Sequence, residues 1–239
     1  MAVVSKKYGL AYFPIPKVAC TSLKHAMFKL EHGADFPVGN GKSIHQVYAS
    51  SPLGRRTLKG LEDCYKFAVV RDPVSRILAA YTNKILAEDA LTGLESAFRI
   101  RIANRLVGLT GLDAERYRSL PTRPDLETFA LNLDLYCQKY PLIYSHTRLT
   151  SYYLGVDISR FDAIYPISAL PKLEQDIRER TGAEFTIPAR NVTVPSNKVS
   201  VSDMSRESFD ALMSYLEPDY RLLADFFERP KYPEPLLTE

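Results

Sequence analysis

Lys66-Phe67-Ala68-Val69-Val70-Arg71-Asp72-Pro73-Val74-Ser75-Arg76-Ile77-Leu78-Ala79-Ala80-Tyr81 holds a strand, a polar break and a helix start in one run. Lys66–Val70 is short and continuously apolar after its first residue, the pattern of a strand covered on both faces. Arg71-Asp72-Pro73 interrupts it, and from Val74 to Leu86 the residues Ile77, Leu78, Tyr81 and Ile85 recur at helical spacing. The same succession stands upstream. Tyr8–Phe13 reads as a buried strand closed by Pro14-Ile15-Pro16. Thr21–Leu30 then reads as a helix with Leu23, Met27, Phe28 and Leu30 on its apolar face and Gly33 at its C′ position. Two strand–break–helix units before residue 87 predict an α/β fold with a parallel sheet.

Further along, Leu94–Val107 and Leu126–Tyr140 are amphipathic, separated by a Pro- and Arg-containing stretch at 116–124. Phe161–Pro166 predicts another strand, and Ser168 is placed to cap a helix from Leu170 to Arg180 that Gly182 ends. Ser205–Leu216 and Pro218–Phe227 close the chain as two helices. No internal repeat or long polar linker divides the 239 residues, so one domain is expected over 1–239, with a helical subregion at about 86–160.

At 46% hydrophobic and 25% charged, the chain falls outside the disordered and low-complexity classes. No apolar run approaches the roughly 20 residues of a membrane span. Cys20, Cys64 and Cys137 cannot build a disulfide framework, and no His/Cys set has zinc spacing. A reduced, cytoplasmic setting and no metal are therefore expected. The net charge of +3 conceals an asymmetry: residues 1–85 carry +8, residues 86–190 carry −1 and residues 191–239 carry −4. Positive charge gathered in one third of the chain, the segment that holds Lys17, Lys24, Arg71 and Arg76, suggests an anionic ligand. With Gly at 11 against Pro at 16, the binding loop is not of the Gly-rich kind.

The two polar breaks carry that ligand's chemistry. In Pro16-Lys17-Val18-Ala19-Cys20-Thr21-Ser22-Leu23-Lys24 a Lys-bearing loop enters a helix whose first turn offers hydroxyls and N–H groups, a setting for phosphate or sulfate. An ordinary strand–helix turn, with Thr21 as N-cap and Lys17 solvated, accounts for the same residues. In the second break Arg71 ends a strand, where its fork would point into the crevice of an open α/β sheet, and Ser75 follows in the helix. An Arg71–Asp72 surface pair is the simpler reading. Gly39-Asn40-Gly41-Lys42-Ser43 contains a Walker-like Gly-Lys-Ser string, but position 36 is Phe where that pattern needs Gly, and it is read as a mobile loop.

Together the breaks resemble the signatures of the carbohydrate sulfotransferases. Phe13–Lys24 resembles the family's PKVACT-type segment, which binds the 5′-phosphosulfate of 3′-phosphoadenosine-5′-phosphosulfate (PAPS). Phe67–Lys84 is similar to its RDP-x-x-R-x-x-S-A-Y-x-N-K signature, with Ala79 where the family often has Ser. Looser likeness extends to Phe161–Leu173 and Glu217–Leu222. The resemblance implies a P-loop-kinase-like α/β fold, a central parallel sheet flanked by helices with a helical insertion. It implies sulfonate transfer from PAPS to a carbohydrate or glycoconjugate hydroxyl, leaving 3′-phosphoadenosine-5′-phosphate (PAP). On this basis Lys17, Val18, Ala19, Cys20, Thr21, Ser22 and Leu23 form the phosphosulfate loop, Arg71 and Ser75 hold the 3′-phosphate, and Lys17 stabilises the leaving oxygen.

An acceptor hydroxyl needs a base, and His is the natural one near neutral pH. His45 lies between the two motifs, where related sulfotransferases place theirs, and is favoured over His25, His32 and His146. Cys20 has no base beside it and is read as a small loop residue. Asn197-Lys198 reads as a turn before the Ser205 helix that could reach the nucleotide, and the sequon Asn191-Val192-Thr193 is given no weight. The acceptor side would draw on Arg99, Arg101, Arg105, Arg116, Arg118 and Arg123. Tyr136, Tyr140, Tyr144, Tyr152 and Tyr153 are stacking candidates, though a salted helical surface and core tyrosines explain both sets. Nothing calls for nucleic acid as a partner, and monomer and dimer stay open. A P-loop kinase using ATP and a non-catalytic module for anionic glycans are the competing functions.

Overall fold

Leu10–Phe13 and Tyr65–Val70 form the two central strands, and their apolar residues leave almost no surface exposed. The computed structural model describes residues 2–37, 41, 43–54, 58–92, 111–189 and 199–233. The calls on Leu94–Val107, on Arg99, Arg101 and Arg105, on the sequon and on Asn197-Lys198 lie outside them. The chain divides into two compact units, Met1–Asp72 with Leu149–Val192, and Pro73–Arg148 with Thr193–Glu239.

The first unit contains the sheet. β1 (Val3–Ser5), β2 (Leu10–Phe13), β3 (Tyr65–Val70) and β4 (Ala163–Pro166) lie in the order β1-β2-β3-β4. β2, β3 and β4 are parallel, as expected. β1, which the sequence did not signal, adds an antiparallel edge to β2, so the sheet is mixed. The register Phe13↔Ala68 brings the carboxyl ends of β2 and β3 side by side, so the chain leaves both strands at the same edge. α1 (Cys20–His32) follows β2 and ends on Gly33 in the left-handed region at φ 71°, with the Gly33 N–H donating to the Lys29 carbonyl. α2 (Ile44–Val47) is a single turn. Its N-cap is Ser43, the last residue of the Walker-like string, in a reciprocal capping box with Gln46.

The second unit is helical. α3 (Pro73–Tyr81) widens into a π-turn over Thr82–Ala87 instead of running on as regular helix. α4 (Gly111–Ser119), α5 (Leu126–Leu131), α6 (Leu133–Lys139) and α7 (Pro141–Thr147) follow, then α8 (Thr150–Leu154) and α9 (Leu170–Thr181) in the first unit. Three helix predictions need correction. Leu126–Tyr140 breaks at Asn132, whose side-chain amide donates to the Thr128 carbonyl at 2.8 Å and competes with the backbone ladder. Ser168 is not the cap of α9. It sits in a 3₁₀ turn, and Ala169 takes the N-cap position without a side-chain bond. The two C-terminal helices are one, α10 (Arg206–Leu222), with Pro218 inside it. Pro218 forfeits one hydrogen bond near the helix end, while its successors Asp219 and Tyr220 are both buried.

Ser205 caps α10 by accepting from the Ser208 N–H. Glu127 of α5 clamps that cap, accepting from the Ser205 N–H (3.1 Å), the Ser205 hydroxyl and the Ser208 hydroxyl (2.7 Å). The Ser205 bonds, first among these, hold the Glu127 carboxyl below the usual carboxylate range. A group with a depressed folded pKa stabilises above its unfolded value, about 4.3, and loses that contribution as pH falls through the folded value. Glu127→Gln is therefore expected to lower Tm at neutral pH, with the gap to wild type closing in thermal melts below about pH 4.

Candidate functional site

Residues 14–19 turn the chain from β2 into α1 through two left-handed positions, Lys17 at φ 66° and Ala19 at φ 50°. Neither is Gly, so each carries backbone strain on the order of 1 kcal/mol. Ala19 is the helix N-cap and its carbonyl accepts from the Leu23 N–H at 3.0 Å. Thr21 is thus not the cap; it lies one residue inside the helix, with its hydroxyl turned elsewhere. Val18 and Leu23 are fully buried, which anchors the turn and leaves only their backbone for a ligand. Cys20 and Ser22 are also buried, while Lys17, Ala19 and Thr21 are half-buried at the mouth of the turn.

The second break meets the first. Arg71, one residue past β3, donates from Nη1 to the Lys17 carbonyl at 3.4 Å, tying the two turns at the carboxyl edge of the sheet. Ser75 stands half-buried in the first turn of α3, in the second unit. Arg76 needs correction as a contributor to the anion-binding charge. It has no exposed surface, pairs with the equally buried Asp219 at 3.5 Å and donates to the carbonyls of Arg148 and His146. Its cation belongs to the interior of the second unit.

His45 reaches the start of α1 beside the turn from β2. The capping box holds α2, buried Ile44 anchors it, and the exposed His45 ring lies between two side chains of α1. Nε2 is 3.0 Å from Thr21 Oγ1 and Nδ1 is 3.0 Å from Lys24 Nζ. Lys24 also donates to Ser50 Oγ at 3.1 Å and has no exposed surface. Burial lowers its pKa, and Cys20 opposes the change. The other histidines are engaged differently. His25 packs edge-on against Phe36, His32 lies against Phe28, and His146 Nδ1 sits 2.8 Å from the Leu142 carbonyl.

Among the tyrosines proposed for sugar stacking, Tyr136, Tyr140 and Tyr153 are core residues. Tyr136 donates to the Pro121 carbonyl, and burial raises its pKa well above the ordinary phenol value. Tyr144 is exposed, and the Arg148 guanidinium covers its ring. Arg123 pairs with Asp89, and Arg116 donates to Asn132 at 2.8 Å. Two members of the basic run are thus surface pairs within the helical unit. Among the described residues no helix is long and apolar enough to cross a membrane, and no group of His, Cys, Asp and Glu is arranged to hold a metal. Cys20, Cys64 and Cys137 are free thiols.

Sequence reasoning counted Lys24 only among the cations of the basic segment and did not single out Ser50. The available signal was a Lys beside Leu23 on the apolar side of α1, three residues after Thr21 and hence on the same face. Nothing in the local sequence placed it against His45.

Curated relatives match part of the chain. Carbohydrate sulfotransferase 11 of Danio rerio is 33% identical over 91 residues, covering 34% of this chain and 25% of the relative. Carbohydrate sulfotransferase 14 of Homo sapiens is 33% identical over 85 residues, covering 34% of this chain and 23% of the relative, and that of Mus musculus is 31% identical with the same coverage. The matched stretch is about a quarter of each relative's length. No solved structure matches the chain. The model of the sulfotransferase family matches residues 1–223, and on that coverage the chain belongs to the sulfotransferase family.

Proposed function

We propose that the protein transfers the sulfonate group of PAPS to a hydroxyl of a carbohydrate or glycoconjugate. The observation that carries this reading is the position of His45, hydrogen-bonded to Thr21 in the first turn of the helix that follows the Lys17 loop. The donor set suits a phosphosulfate: an ammonium, two hydroxyls and the first-turn N–H groups of a 13-residue helix, whose dipole favours an anion. Arg71, linked to the Lys17 carbonyl, and Ser75 supply the donors for the 3′-phosphate. The carbohydrate acceptor rests on the names of the relatives.

PAPS supplies an activated sulfuryl group, and the chain's residues supply position and charge. Lys17 faces the negative charge that develops on the bridging oxygen of the leaving nucleotide. Thr21, Ser22 and the helix N-terminus hold the phosphosulfate in line. His45 takes the proton of the acceptor hydroxyl as its oxygen attacks sulfur. The reading calls for no metal ion.

The test combines transfer and binding. Incubation with [³⁵S]PAPS and a panel of unsulfated and sulfated polysaccharides is expected to label at least one polymer and release PAP. His45→Ala should lower kcat by roughly 10²–10⁴-fold with PAP affinity retained. PAP should also stabilise the protein against heat more than ATP does. Stronger stabilisation by ATP would point to a kinase, and nucleotide or glycan binding without transfer would point to a non-catalytic module.

A further inference from the structure

Lys24 is a buried Lys whose polar partners are an imidazole and a hydroxyl. It has no exposed surface, and no described carboxylate forms an ion pair with it. Among the described residues the titratable groups around it are few. Cys20 lies one turn earlier on α1, Tyr12 of β2 is buried and coupled to Cys20, and His45 comes from α2. Tyr48 follows α2, and Glu31, at the far end of α1, accepts from Ser5 of β1.

The 3.0 Å contacts at both ring nitrogens permit two proton arrangements on one set of heavy atoms. An ammonium has three donors and no lone pair, so a protonated Lys24 donates to Nδ1 and fixes the ring proton on Nε2, which then donates to Thr21. In that state His45 presents no lone pair to the phosphosulfate turn. With Lys24 neutral, Nδ1–H donates to the Nζ lone pair, and the Nε2 lone pair can accept a proton from the side of Thr21.

We propose that Lys24 is a positioning residue that makes His45 a base, the two side chains forming a relay in which Lys24 Nζ is the last proton acceptor. This rests on the function proposed above. As the acceptor oxygen bonds to sulfur, the bond from sulfur to the bridging oxygen breaks and PAP leaves with the electron pair. The acceptor's proton passes to Nε2 while the Nδ1 proton passes to Nζ. The imidazole stays neutral, and the charge ends on Lys24. After product release the reverse relay returns the proton to water through the exposed face of His45. Burial without a counter-carboxylate keeps the neutral amine within reach, and Cys20 is the group that opposes it.

Activity therefore needs the pair to have lost a proton, and the acid limb of the pH–rate profile reports the pair, not the imidazole alone. Lys24→Met keeps the length and burial of the side chain. It is expected to lower plateau kcat roughly 10- to 100-fold and to move the acid limb down by about one pH unit or more, toward an ordinary imidazole. Lys24→Arg places a cation that cannot deprotonate against Nδ1 and should abolish transfer across the pH range. PAP affinity, measured by calorimetry, monitors the fold of both variants. In parallel, ¹⁵N NMR of the His45 ring in the protein without nucleotide should show the Nε2–H tautomer replaced by Nδ1–H as pH rises, a change absent from Lys24→Met. A wild-type protein that transfers no sulfonate to any acceptor defeats the proposed function and leaves the NMR to decide the relay. An unshifted acid limb and an unaltered His45 titration in Lys24→Met, with PAP still bound, overturn the relay.

Discussion

Lys17→Ala is expected to lower kcat for sulfonate transfer about 10²–10³-fold while changing PAP affinity far less. The reasoning begins with the backbone. Lys17 adopts φ 66°, and its carbonyl accepts from Arg71, so the main chain at this residue is held by contacts that do not involve its side chain. Ala tolerates the left-handed region no worse than Lys, so the substitution removes the ammonium and leaves the turn in place. The charge it opposes is small in bound PAPS and grows as the bond from sulfur to the bridging oxygen breaks, so the loss falls on the transition state. Lys17→Arg, which keeps a cation but spreads it over a planar fork, should recover only part of the rate. Pre-steady-state transfer with calorimetry of PAP checks both numbers. If PAP affinity drops in proportion to kcat/KM, Lys17 is a ground-state ligand and the mechanism assigned to it is wrong.

What could be read in advance divides along physical lines. The two central strands and the helices that follow them were legible because each is a short local pattern: an apolar run, a polar break, then apolar residues at helical spacing. Gly33 and Gly182 were legible as helix stops because only a left-handed residue closes those ends, at φ 71° and 63°. β1 was not, because three residues at a sheet edge carry too little pattern and pair by virtue of β2. Asn132 and Pro218 misled in opposite directions. An Asn inside an amphipathic stretch broke the helix by bonding its own backbone, and a Pro expected to break one was carried through by buried neighbours on both sides, Leu216 and Asp219. At the candidate site, the Lys17 turn and Arg71 were singled out from residue type and order and His45 from the family resemblance, and the structure sets His45 beside Thr21. Lys24 was not singled out, because its meaning lies in burial and in contacts with His45 and Ser50, 21 and 26 residues away.

Arg76 shows most clearly how burial changes the meaning of a charge, and it carries the largest expected effect on stability. Arg76 of α3 and Asp219 of α10 have no exposed surface. Removing the cation alone, in Arg76→Met, takes from the buried Asp219 carboxylate the guanidinium at 3.5 Å and from the carbonyls of Arg148 and His146 the bonds it donates. A cost of about 3–5 kcal/mol follows, which for a protein of this size is a fall in Tm of roughly 10 °C or more. Asp219→Asn removes the opposite charge and should cost a comparable amount. The double variant Arg76→Met/Asp219→Leu strands no charge, so it should be markedly more stable than the sum of the singles implies, a coupling that a double-mutant cycle in urea measures directly. PAP binding separates this role from the alternative. A nucleotide ligand at position 76 would lose PAP affinity in Arg76→Met at temperatures where the fold is intact. A buried interior pair loses stability first, and PAP affinity, measured well below the lowered Tm, stays near that of wild type. Unchanged melting with weakened PAP binding would return Arg76 to the anion site and displace Asp219 as its main partner.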